Sequence, residues 1–403
     1  MTHKTRSHVE DLRGASRLAV EATRGVMALV EAMHVAIGSG PAILGQPLAR
    51  PVKLATGLWF GWMKGVTRVI GSGIDLALAQ LGPLLGASAP GLEREVLVAI
   101  LNGVLGDYLE QHGNPLAIQM RLRHGGEPIE LTPAGVLRAI PEAGAKIVVL
   151  VHGSSMAEAQ WLRNGHDHGA ALARDLGYTP IYLHYNSGLH ISTNGAQLAA
   201  LLEELIAAWP TKPAEIVLLG HSMGGLVARS AAHLGDAAGQ TWRRSLRSLI
   251  TLGAPHHGAP LERGGNWIDL LLGVSRYSAP LGRLGRIRSA GITDLRFGNV
   301  LDEHWQGRDR FALAPDDRRP LELPRDVRCY AIAGTLSTAV GDGPRSDGMV
   351  PVSSAHGIHA RPEHTLAFPE AHRSIAIGTN HVDLIGSEAV YATIKGWLAS
   401  SPE

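Results

Sequence analysis

Residues 216–228 read IVLLGHSMGGLVA, and this stretch decides the fold class. Residues 216–219 are apolar like a buried strand, and apolar residues resume at helical spacing after the last glycine. The Gly-x-Ser-x-Gly pattern between them predicts a sharp strand-to-helix turn that presents the hydroxyl of Ser222. Side chains at Gly220 and Gly224 would collide where the backbone doubles back, and Ser222 itself would need a strained conformation. The alternative is a glycine-rich turn with an incidental serine, but the flanking strand and helix favour a nucleophile.

The composition of the 403-residue chain is that of an ordinary globular protein, with 45% hydrophobic residues, 18% charged residues and a net charge of +1. Such a balance creates no attraction to nucleic acid, so no nucleic-acid partner is expected. The single cysteine, Cys329, cannot form a disulfide within the chain, which permits the cytoplasm. We see neither a signal peptide nor a charge-free apolar run of about 18 residues, so we expect a cytoplasmic protein.

Residues 1–112 differ from the rest of the chain, because their apolar residues recur at helical spacing in four stretches. These stretches cover 18–37, 52–70, 74–85 and 92–108. Such helices are too apolar to stand free in water. We expect a helical bundle docked on the following domain. Peripheral association with a membrane or lipid surface, favoured by aromatic residues beside Lys64 and Arg68, and oligomerisation are the alternatives.

Residues 113–403 read as a second domain that begins with a hairpin. Period-two spacing over 116–123 leads to a turn at 124–127 and a returning strand at 129–131. From residue 146, strands and helices alternate. The predicted strands are 147–151, 180–185, 215–219, 246–252, 327–333 and 374–377, and the predicted helices are 157–176, 193–209 and 388–398. This alternation predicts an α/β fold, with a mainly parallel, doubly wound sheet that helices cover on both faces. Residues 253–326 do not extend the pattern, and we interpret them as an inserted cap or lid.

A serine nucleophile needs a base and an acid that orients the base. Asp347 follows the strand at 327–333, and His381 follows the strand at 374–377. The carboxyl ends of parallel strands meet at one edge of a sheet, which is also where Ser222 would be presented. We therefore expect His381 to take the proton of Ser222 and Asp347 to fix the imidazole.

Each of these residues also has a simpler interpretation. His381 is one of 20 histidines and could be a surface or capping residue. An aspartate before glycine often forms a turn, which would explain Asp347. Asp342, also before a glycine, is the rival acid, and Asp383 could cap a helix or support His381.

The reaction also needs two backbone N–H groups to stabilise an oxyanion. One donor is expected from Met223, which follows the nucleophile, and the other from Ser154, in the loop after the strand at 147–151. Gly153 would let this loop turn toward the substrate. His152 is either hydrogen-bonded beneath the loop or an ordinary turn residue.

Over about residues 146–398 the chain resembles α/β-hydrolases of the lipase and esterase type, in particular bacterial triacylglycerol lipases and related proteins. The matching segments are, in order, VHGSS (151–155), GHSMGGLVAR (220–229), LGAPHHGAP (252–260), SDGMVPVSSA (346–355) and NHVDL (380–384). The resemblance implies the α/β-hydrolase fold, Ser222 as nucleophile, Asp347 as acid, His381 as base, and oxyanion donors at Ser154 and Met223. It also implies carboxylic ester substrates, often acyl lipids, and no organic cofactor.

Three functional hypotheses follow. The first is a serine hydrolase of acyl lipids or other apolar esters that works through an acyl-enzyme. The second keeps the acyl-enzyme in a thioesterase, a polyester depolymerase or an acyltransferase. The third is a non-catalytic interaction protein that retains the fold. Some lipases hold a structural metal, but His256 and His257 show no ligand spacing, so no metal is expected. The oligomeric state stays open.

Overall fold

The computed structural model describes residues 91–259, 288–310, 315–337 and 346–400. The first three apolar stretches lie outside these residues, and so do the lipid-surface and oligomer roles considered for them. Part of the expected cap also lies outside. The fourth stretch is helical and forms α1 (Gly91–Gln111). The division at residue 112 stays a prediction, and residues 98–111 belong to the same compact unit as the sheet.

The strands of the described residues form one mixed sheet. They are β1 (Arg121–His124), β2 (Glu127–Pro128), β3 (Lys146–Val151), β4 (Thr179–His184), β5 (Glu215–His221), β6 (Leu246–Leu252), β7 (Arg328–Thr335) and β8 (Arg373–Ile377). Their order is β2-β1-β4-β3-β5-β6-β7-β8. Strand β1 is antiparallel to β2 and β4, whereas every pairing among β3 to β8 is parallel. The predicted mainly parallel sheet is confirmed.

Helices connect these strands and cover the sheet. After α1 they are α2 (Pro133–Ala139), α3 (His168–Leu176), α4 (Ile191–Ala208), α5 (Met223–Ala237), α6 (Ala290–Asp294), α7 (Val352–Ala355) and α8 (Glu388–Ala399). Short 3-10 helices cover Glu158–Trp161, Thr241–Ser245, Asp302–His304, Pro362–His364, Glu370–His372 and Asp383–Ile385. No helix among the described residues is long and apolar enough to cross a membrane.

The central strands of the sheet are buried on both faces. On one face, Val148 and Leu150 of β3 pack in a cluster with residues of α3 and α8. On the other face, Val149 of β3 and Leu218 of β5 are equally inaccessible, and α5 contacts β3, β5 and β6. Burial on two sides explains why the central strands β3, β5, β6 and β7 are nearly continuous apolar runs, whereas burial alternates along β4 and β8 is partly exposed.

The predicted hairpin is present, but the prediction of its returning strand at 129–131 is wrong, because the turn is shorter than expected and the strand is Glu127–Pro128. Strand β2 begins at Glu127, which pairs with His124 across a two-residue turn. Gly125 and Gly126 both have positive φ, at 58° and 85°. A two-residue hairpin turn of this kind needs positive φ at both positions, which glycine supplies without strain.

The single helix predicted over 157–176 is wrong. The segment divides into a 3-10 helix at Glu158–Trp161, a short bridge between Arg163 and His166, and α3. Asn164 and Gly165 have positive φ, which ends any helix there, and the Asp167 side chain accepts a hydrogen bond from the Ala170 N–H and caps α3.

The two-sided core predicts a large cost for removing a side chain from β3. Leu150 is fully buried, whereas Leu162 is 66% exposed. We expect Leu150→Ala to lower the free energy of unfolding by about 3 kcal/mol, through lost burial and the cavity left behind. Leu162→Ala is the matched control and should change it by less than about 0.5 kcal/mol. Urea unfolding measures both, and equal losses would contradict a core centred on this strand.

Candidate active site

Ser222 lies at the point where β5 reverses into α5. Its backbone has φ 54° and ψ −124°, and it is 2% exposed. A Cβ placed on Gly220 would lie 2.5 Å from the Gly225 nitrogen, and one on Gly224 would lie 2.1 Å from the Val151 oxygen. These contacts show why both glycines of the Gly-x-Ser-x-Gly pattern are required: the backbone on either side of Ser222 leaves no space for a side chain.

Asp347 and His381 are joined by a hydrogen bond. His381 Nδ1 donates to Asp347 Oδ2 at 2.7 Å, and both side chains are almost completely buried. The other carboxylate oxygen, Oδ1, accepts from the N–H groups of Met349 at 2.9 Å and Val350 at 2.7 Å. Asp347 therefore forms a turn and orients His381 at the same time, so the two interpretations of this residue are compatible.

The carboxylate of Asp347 is held in its ionised form. Burial alone would raise its pKa, but the charge and hydrogen bond of His381, with the N–H groups of Val350 and Met349, outweigh burial and place the pKa of Asp347 below its usual value. An ionised acceptor keeps the proton of His381 on Nδ1. The opposite ring nitrogen, Nε2, is then the one that can act as a base.

The end of β6 connects Ser222 to this pair. The Ser222 N–H donates to the Leu252 oxygen at 2.8 Å, and the next N–H, that of Gly253, donates to the Ile332 oxygen at 2.8 Å. A Cβ on Gly253 would lie 3.1 Å from both Asp347 Oδ2 and His381 Nδ1. The end of β6 therefore places the Ser222 backbone next to the hydrogen-bonded pair of Asp347 and His381.

His221, the residue before Ser222, was not predicted to have a role. Its Nε2–H donates to the His381 oxygen at 2.9 Å, and the two rings lie 4.8 Å apart. Burial and the proximity of His381 lower the pKa of His221 to about 3, so the ring is neutral. His221 thus holds the backbone of the expected base. One histidine among 20 carries no sequence signal for such a contact.

The loop after β3 lies against the nucleophile. A Cβ on Gly153 would be 3.1 Å from the Cβ of Ser222, so Gly153 allows this approach. Ser154 and Met223, the expected oxyanion donors, are the next residues of the two segments that meet here, and each is buried. Their role as donors stays a prediction.

His152 fixes this loop from beneath, as one of its two interpretations proposed. The ring stacks on Tyr185 at 4.4 Å, and its Nδ1–H donates to the Gly153 oxygen at 2.8 Å. The Tyr185 hydroxyl donates to the His152 oxygen at 2.8 Å. Burial lowers the pKa of His152 to about 3, so this contact does not change with protonation near neutral pH.

Helix α1 packs directly on the same loop. A Cβ on Gly103 would lie 1.9 Å from Ser155 Oγ and 2.8 Å from its Cα. Ser155 has a φ of 58°, and its N–H donates to Ser187 Oγ at 2.9 Å. The position of the loop therefore depends on a close backbone approach by α1. Periodicity predicted the helix, but it could not reveal this contact.

The other candidate acids have different positions. Asp342 lies outside the described residues. Asp383 accepts from Arg163 Nε at 2.7 Å and from Asn380 Nδ2 at 2.6 Å. It therefore braces the loop that carries His381, in agreement with the supporting role considered for it.

Within the described ranges, no group of three or more His, Cys, Asp or Glu residues is arranged to hold a metal. The adjacent histidines both contact the protein instead. His256 Nδ1 lies 3.1 Å from Arg229 Nη1, and His257 Nε2 lies 2.9 Å from the Gly357 oxygen.

The model of one protein family matches part of this chain. The family is described as PGAP1-like alpha/beta domain, and the match covers residues 142–312, which include β3 to β6 and Ser222. No curated protein matches the sequence significantly.

Several solved structures are similar to this chain at low sequence identity. The mature lipase BlEst2 of Bacillus licheniformis is 19% identical, with 70% of this chain and 98% of that chain covered and a TM-score of 0.42. EstA of Clostridium botulinum is 14% identical, with coverages of 67% and 91% and a TM-score of 0.39. The RedJ thioesterase of the prodiginine pathway of Streptomyces coelicolor is 17% identical, with coverages of 65% and 92% and a TM-score of 0.35. Similarities this distant do not identify a substrate for this chain.

The lowered pKa of Asp347 predicts a specific acid dependence of stability. A carboxyl whose pKa is lower in the folded than in the unfolded state, where it is near 3.8, increases the free energy of unfolding at pH values above the unfolded pKa. This contribution is lost as the pH falls through the folded pKa. Asp347→Asn removes that contribution. The variant should therefore be less stable than the wild type at pH 6, and the difference should shrink at pH 3.

Urea unfolding at both pH values tests this dependence. Asp326→Asn is the matched control, because Asp326 is exposed and its positive φ of 60° also suits asparagine. Its difference from the wild type should stay small at both pH values. A stability difference for Asp347→Asn that is the same at pH 3 and pH 6 would contradict the stabilised carboxylate.

Proposed function

We propose that this chain is a serine hydrolase of the α/β-hydrolase superfamily and that it cleaves carboxylic esters through Ser222, His381 and Asp347. The observation that carries the proposal is the hydrogen bond of 2.7 Å between His381 and Asp347, at the strand end that also binds the Ser222 backbone. A nucleophile, a base and an acid that orients the base are the groups that acyl transfer requires.

In the proposed mechanism, Ser222 Oγ attacks the carbonyl carbon of the ester while His381 Nε2 takes the hydroxyl proton. Ser222 Oγ has no hydrogen-bond partner within the described part of the chain, so it is not committed to a structural contact. Asp347 stabilises the imidazolium that forms. His381 returns the proton to the leaving alcohol, and water then resolves the acyl-enzyme by the same steps in reverse.

The oxyanion of the tetrahedral intermediate would be bound by the backbone N–H groups of Ser154 and Met223. Met223 is the first residue of α5, where helical N–H groups have no intrahelical partner and the helix dipole favours negative charge. His152 and α1 hold the opposing loop in place. Donors fixed before the reaction stabilise the developing charge without reorganisation.

The proposed substrates are acyl lipids or other apolar esters. This choice rests on the resemblance of the five sequence segments to lipases and esterases. Thioesters and acyl transfer to alcohols would use the same acyl-enzyme. A panel of p-nitrophenyl esters and acyl thioesters of graded chain length, with product analysis in the presence of alcohols, distinguishes these reactions.

Removing the nucleophile should abolish ester hydrolysis. We expect Ser222→Ala to lower kcat/KM for p-nitrophenyl esters by about 10⁴-fold or more, since the triad then lacks the atom that forms the acyl-enzyme. Ser353→Ala, at an exposed position, is the control and should retain the wild-type rate. Undiminished hydrolysis by a folded Ser222→Ala variant would refute the proposal.

The contact between α1 and the loop predicts a second effect on activity. The methyl group of Gly103→Ala would press on Ser155 and displace the loop, so we expect kcat to fall by about 100-fold with little change in KM. Gly396→Ala is the matched control, because a Cβ on this helical glycine meets nothing within 4 Å.

A double variant shows whether the loss comes from the loop. Ser155→Gly removes the side-chain atoms that the new methyl group meets but leaves the approach of 2.8 Å to the Cα, and the positive φ of this residue suits glycine. We expect Gly103→Ala with Ser155→Gly to recover part of kcat. Wild-type kcat in Gly103→Ala would show that the loop does not depend on this contact.

A further inference from the structure

Away from Ser222, a cavity of the described region collects basic side chains. The cavity is small and partly open to solvent. The side chains that matter for its chemistry are Arg229, His256, His257, His304, Arg318 and Arg319. The proposed mechanism uses none of them.

Arg229 is a buried cation, and no acidic side chain of the residues that the structure describes forms an ion pair with it. It lies on α5 and is 3% exposed. Its Nη2 donates to the Leu321 oxygen at 2.6 Å and its Nη1 donates to His256 Nδ1 at 3.1 Å. Its Nε–H is buried and has no hydrogen-bond partner in the described structure. A buried guanidinium that lacks both a counter-charge and a partner for one donor is costly, and a bound anion would remove that cost.

His256 cannot supply a counter-charge. Because its Nδ1 accepts from Arg229, its proton lies on Nε2, which faces Thr251 Oγ1 at 3.3 Å. The Thr251 hydroxyl in turn donates to the Tyr330 oxygen at 3.2 Å. Burial and the charge of Arg229 place the pKa of His256 well below its usual value, so the ring is neutral.

The other groups of the cavity leave the charge of Arg229 unbalanced. Arg318 forms a two-point ion pair with Asp316, at 2.8 Å for both contacts, so these charges cancel. Burial lowers the pKa values of His257 and His304 to about 4, so both rings are neutral near pH 7. Arg229 stays charged there, because burial lowers its pKa only to about 10. One negative charge would neutralise the interior.

The cavity also offers a hydrogen-bond acceptor. His257 Nε2 donates to the Gly357 oxygen at 2.9 Å, so its Nδ1 is an acceptor, and this buried atom has no partner among the described residues. The ring of His304 is already satisfied, because its Nδ1 accepts from the Val300 N–H and its Nε2 donates to the Arg319 oxygen. A ligand that has both acceptor oxygens and one O–H group would satisfy Arg229 and His257 together.

We propose that this cavity binds a small oxyanion that retains a proton, such as hydrogencarbonate or dihydrogenphosphate. Its oxygens accept from the Arg229 guanidinium, and its O–H donates to His257 Nδ1. Arg319 is exposed at the mouth and attracts anions from solution. The site is separate from the proposed ester chemistry and does not depend on it.

The first test measures the melting temperature of the full-length wild-type chain. Sodium phosphate, hydrogencarbonate, sulfate and chloride are each titrated at pH 6.5 and constant ionic strength. We expect phosphate and hydrogencarbonate to produce a saturable rise of roughly 2 to 4 °C. Sulfate and chloride, which carry no proton at this pH, should produce a smaller change without saturation. A non-saturating or equal response to all four anions would overturn the proposal.

Variants locate the site. Arg229→Gln should lose the saturable rise with phosphate, whereas Arg325→Gln, which removes an exposed charge paired with Glu322, should keep it. His257→Phe removes the acceptor and should abolish the preference for phosphate over sulfate. Persistence of the rise in Arg229→Gln, or of the preference in His257→Phe, would contradict the assignment. If Arg229→Gln does not fold, the wild-type titration and His257→Phe still decide the question. Every readout is thermal, so loss of ester hydrolysis would leave this test unaffected.

Discussion

The reversal of the backbone at Ser222 is the constraint on which the rest of the site depends. It requires positive φ at a serine and glycine on both sides, because Val151 and Gly225 approach to within contact distance of the missing side chains. That geometry places the start of α5 against the end of β3 and the Ser222 N–H on the end of β6.

Much of this arrangement could be predicted from the sequence, for identifiable reasons. The central parallel strands are buried on both faces, so they appear as apolar runs whose positions are easy to recognise. Asp347 follows such a strand, β7, and His381 follows the short strand β8; the common direction of the two strands brings both residues to one edge. The hydrogen bond between them agrees with that expectation, although their catalytic roles remain predictions.

Other features could not be predicted, because they depend on contacts between distant segments or on local turn geometry. The approach of Gly103 to Ser155 joins residues 52 positions apart, and no periodicity records it. The helix predicted over 157–176 failed because Asn164 and Gly165 adopt positive φ, which apolar spacing does not reveal. The sequence likewise does not show that Arg229 donates its hydrogen bonds to neutral groups of the described residues, because this depends on which residues are its neighbours in the fold.

Buried neutral histidines are a recurring element of the region around Ser222. His152 and His221 each donate one hydrogen bond to a backbone oxygen, and burial keeps both uncharged. They therefore fix the loop after β3 and the backbone of His381 without adding charge beside the nucleophile. Their lowered pKa values also make both rings weak bases, so neither competes with His381, the proposed base, for the proton of Ser222.

Reaction with a fluorophosphonate probe tests the central claim most directly, because the probe modifies a serine only when that serine is activated. Mass spectrometry of the labelled full-length chain should find the modification on Ser222, and the rate of labelling should fall by about 100-fold or more in His381→Ala. A folded protein that does not react at Ser222, or that reacts equally fast without His381, would contradict the account.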